Sequence, residues 1–287
     1  MFSYRHGFHA GNHADVLKHV VLLQTLKYLF SKDTALLVVD THAGTGLYQL
    51  DDEFAQKSME AQDGIARLWD APQLPAALAD YVQEIRAFNP AGPLQTYPGS
   101  PMLIWNNLRA QDQLQLFELH PTDQRLLQSN VRQLEHNRQV KVNIADGFAG
   151  LKSLLPPPSR RGLILMDPSY EVKSDYQRVH ECMADALKRF ATGVYLIWYP
   201  IVPQPLAHQL PGKLRRLAET HGRGWLHTTL KVRNPSSEGR GMVASGMFVI
   251  NPPFILQSKL KEALPVLMKY LAQDKGAHYT LDVQDGK

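Results

Sequence analysis

Gly162-Leu-Ile-Leu-Met-Asp-Pro-Ser-Tyr170 is a five-residue apolar run that breaks abruptly into an acid, a proline, a serine and an aromatic ring. A continuous rather than alternating run fits a strand buried on both faces of a parallel sheet. The chain has more runs of this kind, at 36–40, 113–119, 140–144 and 194–199, separated by segments able to form helices. Runs at 226–232 and 247–250 read as an antiparallel pair at the end. Seven strands in this order predict an α/β sheet of nucleotide-binding type, with its ligand at the carboxyl ends of the strands.

The strand tips carry acids in sequence. The first strand runs into Asp40-Thr-His-Ala-Gly-Thr-Gly46, a turn in which Ala43, Gly44 and Gly46 let backbone approach a ligand closely. The second ends at Glu118, where a nucleoside's ribose hydroxyls would be gripped. The third ends at Asp146-Gly147, with a carboxylate able to meet an adenine's exocyclic amine. At the fourth tip, the Asp167 carboxylate and the Pro168 carbonyl form two acceptors converging on an amino group, and Tyr170 offers a ring for stacking a base. An aromatic amine is a poor nucleophile because its lone pair is delocalised, so acceptors that orient its hydrogens favour attack. Pro98-Gly-Ser-Pro101 starts a short helix whose serine, Ser100, can cap or face a ligand.

More than seventy residues separate the first two strands, with helical patches at 53–69 and 74–88, and predict a helical insertion at 51–97. Residues 1–50 and 98–287 then form the main domain. Near the start, Asp15, Lys18, His19, Leu22, Leu26 and Leu29 share one helical stripe, so polar residues extend a core-facing stripe and aim Lys18 and His19 into a site. A zinc reading of His6, His9, His13 and His19 is disfavoured by Gly7 and Gly11 and by the lack of assisting cysteines. The four tryptophans are assigned to packing.

Composition bounds the rest. With 287 residues, 44% hydrophobic and 20% charged, the chain can bury a large core. Cys182 is alone, which excludes an internal disulfide. No apolar stretch reaches the roughly 18 residues of a membrane span, and the first residues lack an apolar signal core, so a cytoplasmic protein is expected. Residues 211–240 hold seven basic against two acidic residues, including Arg215 and Arg216, and predict one basic face, which the resemblance given below makes the candidate surface for a nucleic-acid backbone.

Taken together, the ordered tips resemble Rossmann-like class I methyltransferases that use S-adenosylmethionine, in particular the amino-methyltransferases with an Asp-Pro-Pro-Tyr type of motif. Three further segments, Ser3-Tyr-Arg-His6 with Phe8 to His19, Tyr97-Pro-Gly-Ser-Pro101 and Arg240-Gly-Met-Val-Ala-Ser-Gly-Met247, resemble the RlmJ family of 23S rRNA adenine-N6 methyltransferases over essentially the whole chain. The resemblance implies that His19, His42, Ser100, Glu118, Asp146 with Gly147, and Asp167 contact the cofactor, with Asp167 also the proton acceptor. It implies that Tyr4 meets the target adenosine, that His6 and Lys18 support the reaction, and that residues 1–20 form an N-terminal motif able to act as a lid. Ser169 stands where the family motif has a second proline. The implied partner is 23S rRNA before ribosome assembly is complete, bound by a monomer without metal or membrane. Two other readings stay open: a DNA adenine-N6 methyltransferase, and a non-catalytic nucleic-acid-binding protein linked to use of external DNA.

Overall fold

The structure, a computed structural model, describes residues 7, 9–50, 59–135, 137–235 and 242–286. Tyr4 and His6 lie outside the described residues, as do the first part of the insertion (51–58) and part of the basic window (236–241). Five strands run parallel: β1 (Leu37–Asp40), β4 (Gln113–Phe117), β5 (Val140–Asn143), β6 (Gly162–Met166) and β7 (Val194–Pro200). Beyond β7 the sheet turns antiparallel through β9 (Ala244–Ile250), β8 (Trp225–Lys231) and β10 (His278–Gln284). The full order is β10-β8-β9-β7-β6-β1-β4-β5. The chain leaves β1 for β4 on one side and later crosses to β6 on the other, which makes the β1–β6 junction the switch point where a crevice opens.

The sheet has eight strands, not the expected seven. The additional strand, β10, reads His-Tyr-Thr-Leu-Asp-Val-Gln, an alternating, largely exposed edge that a search for continuous apolar runs passes over. A separate ribbon of β2 (Leu47–Gln49) and β3 (Thr96–Pro98) pairs antiparallel and stitches together the two ends of the insertion. Inside it, α2 (Ala66–Trp69) and α3 (Ala76–Ala87) are seen, and Leu78, Tyr81 and Ile85 of α3 are fully buried.

Helix α1 (His13–Leu29) differs from the amphipathic stripe expected of it. Every residue from His13 to Leu26 is buried, because α1 lies on the sheet beneath α3, α4 (Ser100–Asn107) and α9 (Leu256–Leu271). A helix enclosed all round needs no polar face. Asn12 caps it by accepting from the Ala14 and Asp15 N–H groups, a contact typically worth about 1 kcal/mol. At its end the Ser31 and Lys32 N–H groups donate to the Tyr28 and Leu29 carbonyls, and Arg161 and Arg109 add bonds to the carbonyls of Leu29 and Phe30. Fixed at both ends, α1 holds Lys18 in place. Among the described residues, four more helices flank the sheet: α5 (Pro121–Arg132), α6 (Gly147–Leu151), α7 (Ser174–Arg189) and α8 (Pro205–Thr220). No helix among the described residues is long and apolar enough to cross a membrane.

Candidate active site

A cleft opens at the carboxyl ends of the parallel strands, and the tips of β1, β4, β5 and β6 all contribute to it. Of the residues expected from sequence, it brings together Lys18, His42, Ala43, Gly44 and Ser100 with Glu118, Asp146, Gly147, Asp167 and Pro168.

On the β1–β6 side the charges are dry. The Lys18 ammonium, only 4% exposed, donates to Asp15 at 2.8 Å and to Asp167 at 2.5 Å. Burial opposes its charge, but the two carboxylates outweigh burial and hold it well above the usual lysine range. Asp15 in turn accepts the Gly11 N–H at 3.0 Å, joining the segment before α1 to the same network. Asp40, fully buried at the end of β1, accepts the Ser100 hydroxyl at 2.7 Å and the His42 N–H at 3.2 Å. Burial pushes its carboxyl up to about 6 against those hydrogen bonds, and the nearby Asp167 adds to the rise. Sequence reading gave no role to Asp15 or Asp40. The one available signal for Asp15 was its position three residues before Lys18, on the same helical face.

The β4–β5 side is held by backbone donors and by arginine. Glu118 accepts the Gly44 N–H at 2.8 Å and the His120 N–H at 2.7 Å, and burial raises its pKa despite those bonds. Gly44 makes its contact in the left-handed region (φ +61°), where an added Cβ would also lie 2.4 Å from the Tyr48 hydroxyl. Asp146 caps α6 through the Phe148 N–H at 2.9 Å and is ion-paired with Arg178, whose guanidinium lies 4.4 Å above the Phe148 ring. The α6 turn touches β1's exit so closely that a Cβ on Gly147 would fall 2.0 Å from the Thr41 carbonyl oxygen. His42 lies edge-on to Phe148 at 4.8 Å, and burial drives its pKa down to about 3, so the imidazole is neutral. Arg178 carries no sequence signal, because it reaches Asp146 only through the packing of α7.

Three expected residues stand elsewhere. His19 is fully buried and shares a hydrogen bond with the Tyr97 hydroxyl at 2.7 Å, which continues to Tyr81 at 3.0 Å, so it ties α1 to the insertion. Gly46 faces Met102 and Leu127 behind the cleft. Tyr170 adopts φ +55°, donates its hydroxyl to the Trp198 carbonyl at 2.8 Å and packs 4.5 Å from Tyr176, with 5% of its surface exposed. Its ring packs against Tyr176 and Trp198 and is not among the residues lining the cleft.

Six carboxylates and two cations, Lys18 and Arg178, line the cleft. That lining favours a cationic ligand. Acceptors at the tips of β4 and β5, a neutral imidazole and an aromatic ring beside them, and small residues at the turns suit a nucleoside with a positively charged tail. Among the described residues no group of three His, Cys, Asp or Glu is placed to hold a metal ion.

Comparison with known proteins agrees with this geometry. The model of a family described as ribosomal RNA large subunit methyltransferase D, RlmJ, matches residues 33–283. Ribosomal RNA large subunit methyltransferase J of Escherichia coli (strain K12) is 48% identical over 281 residues, covering 98% of each chain. The protein of the same name from Haemophilus influenzae is 44% identical over 283 residues, again 98% of each. A crystal structure of a protein from Legionella pneumophila str. Philadelphia 1 is similar at 37% identity with a TM-score of 0.85, covering 97% of this chain and 98% of that one.

Proposed function

The chain belongs to the RlmJ family of large-subunit ribosomal RNA methyltransferases and uses S-adenosylmethionine, and from that premise we propose that it methylates N6 of an adenine in 23S rRNA with Asp167, Pro168 and Lys18 at the reacting centre. The observation that carries this reading is the position of Asp167: at the tip of β6, bonded to a buried lysine from α1, facing the same cleft as Glu118 and Gly44.

When bound, S-adenosylmethionine supplies an electrophilic methyl group on a sulfonium. The protein's own part is alignment and a preorganised polar setting. Asp167 and the Pro168 carbonyl accept the two hydrogens of the adenine amine and turn its lone pair toward the methyl group. Lys18 donates to one oxygen of Asp167 and so fixes the direction in which that carboxylate faces the cleft. This makes Asp167 chiefly an orienting acceptor, and its taking of the amine proton follows once positive charge develops on nitrogen. Glu118 has lone pairs left for ribose hydroxyls beyond its backbone bonds, Asp146 and His42 border the cofactor's base, and Ser100 brings the positive end of α4 to the carboxylate of its tail. In this reading Tyr4 meets the target adenosine and His6 assists. Tyr170 would have to release Trp198 before stacking on the base. A target within a hairpin must be unstacked to enter. The protein would act as a monomer in the cytoplasm on rRNA not yet fully assembled.

Methyl transfer into deproteinised 23S rRNA, large ribosomal particles and duplex DNA separates the readings. Transfer into naked rRNA above the other two is expected. Preferential labelling of duplex DNA would replace the substrate, and nucleic-acid binding without any transfer would leave a binding protein.

A further inference from the structure

Among the described residues, the basic window at 211–240 divides between the two ends of β8. Strand β8 is antiparallel to β9, as β7 is, so it runs in the same sense as the parallel strands: Trp225 lies opposite Ile250 at the end away from the cleft, and Lys231 lies opposite Ala244 at the cleft end. Arg215, stacked 4.5 Å over the Trp225 ring, and Arg223 therefore belong to the far end, while Lys231 and Arg233 stand at the cleft end. Arg233 is close enough to His13, in the first turn of α1, for its charge to act on that imidazole.

A second segment brings cations to the same corner. After α9, the Gln273 N–H donates to the Val232 carbonyl at 2.8 Å, and Asp274 accepts the Asn234 N–H at 2.9 Å. Lys269, in the last turn of α9, and Lys275, in the turn after it, are carried on the segment that these bonds join to Val232 and Asn234, and the charges of Lys231 and Arg233 act on Asp274 of that segment. The cleft itself is acidic: Glu118, Asp123, Asp146, Asp167, Glu171 and Asp175 line it, and its two cations are held in ion pairs. A phosphate backbone laid over the β4–β5 rim meets repulsion, whereas one laid over β8 meets four cations.

Resting on the rRNA reading above, we infer that the RNA backbone docks on the corner formed by Lys231, Arg233, Lys269 and Lys275 and enters the cleft from the β8–β9 side, leaving the β4–β5 side to the cofactor. Strand β8 lies three strand spacings from β6, roughly 15 Å, a distance that a few nucleotides of backbone span between an extruded base and its anchored phosphates.

The test measures binding of a 23S rRNA transcript without cofactor, across a salt series, and methyl transfer into the same transcript at saturating cofactor. The double variants Lys231→Glu with Arg233→Glu and Lys269→Glu with Lys275→Glu should each weaken binding by about tenfold or more and flatten the log–log salt slope by about one to two. Melting temperature and cofactor affinity should stay at the wild-type level, and the milder Gln versions should show the same trend. Lys213→Glu with Arg216→Glu, on the α8 surface near His180, should leave the slope unchanged. A slope that responds to Lys213 and Arg216 and ignores the cleft-end pairs would overturn the docking surface. Binding through the cleft-end pairs by a wild-type protein that transfers no methyl group would overturn the enzymatic reading and leave the surface standing.

Discussion

The two halves of the cleft hold their acids in opposite ways. Toward β1, β6 and α1, three carboxylates, Asp15, Asp40 and Asp167, share a buried setting with one ammonium, Lys18. Toward β4 and β5, Glu118 and Asp146 are half-buried and lean on backbone N–H groups and on Arg178 at the surface. Lys18 in the first half cannot be exchanged singly, because removing it strands Asp15 and Asp167 away from water. Those in the second can be removed at the cost of a few hydrogen bonds. The first arrangement suits holding reacting atoms in one geometry, and the second suits a ligand that must come and go.

The largest effect that can break this contrast is Lys18→Met. It leaves Asp15 and Asp167 buried beside one another without their cation, and urea unfolding should show a loss of about 3–5 kcal/mol. Adding Asp15→Asn should restore part of that loss. A Lys18→Met protein as stable as wild type would mean the buried network carries no energetic coupling.

Asp40→Asn should act in the other direction. A carboxyl raised to about 6 from an ordinary 3.8 binds its proton more tightly in the folded protein than in the unfolded chain. Unfolding free energy therefore falls as pH rises between about 4 and 6, and the deficit of about 3 kcal/mol persists above that window. Asparagine can keep both neighbours, accepting from His42 and donating to Ser100, and removes the titration. Melting curves should coincide near pH 4 and favour the variant at pH 8. Equal melting at both values would place the Asp40 titration elsewhere.

On the β4–β5 half, Glu118→Ala should weaken cofactor binding by about 2 kcal/mol, roughly thirtyfold, with the single-turnover rate recovered at saturating cofactor. Calorimetric titration gives the affinity, and an unchanged value would remove Glu118 from the binding site. Smaller still is Arg178→Gln, which breaks a partly exposed ion pair and should change stability by no more than about 1 kcal/mol. A loss matching that of Lys18→Met would erase the distinction between the halves.

The same contrast explains what the sequence made legible. Strands buried on both faces announce themselves as unbroken apolar runs, and an acid at the end of each marks the binding tips, so the cleft's Glu118, Asp146 and Asp167 were visible before any coordinates. β10 was not, because an exposed edge strand alternates and its pairing partner lies some fifty residues away at β8. The α1 stripe was only half readable. Its spacing pointed Lys18 at the site, but enclosure on every side depends on α3, α4 and α9, which no local period reports. The burial of Tyr170 was unreadable for a related reason: composition shows an aromatic ring after Asp-Pro-Ser, and its packing depends on Tyr176 and Trp198, which no local pattern brings beside it. The described part of the basic window divides between two ends because it spans β8 from end to end, and a run of charges in sequence says nothing of the direction in which a strand carries them.

The central claim is that Asp167 orients the reacting amine, and single-turnover methyl transfer into 23S rRNA by Asp167→Ala tests it most directly. The reaction is run at saturating S-adenosylmethionine, and the product is read as N6-methyladenosine in the digested RNA. Wild type should give that nucleoside, and the variant should be slower by about a hundredfold or more while its cofactor affinity stays within a few-fold, since the lost interaction acts on the transition state. A variant rate within a few-fold of wild type, with the same product, would contradict the account.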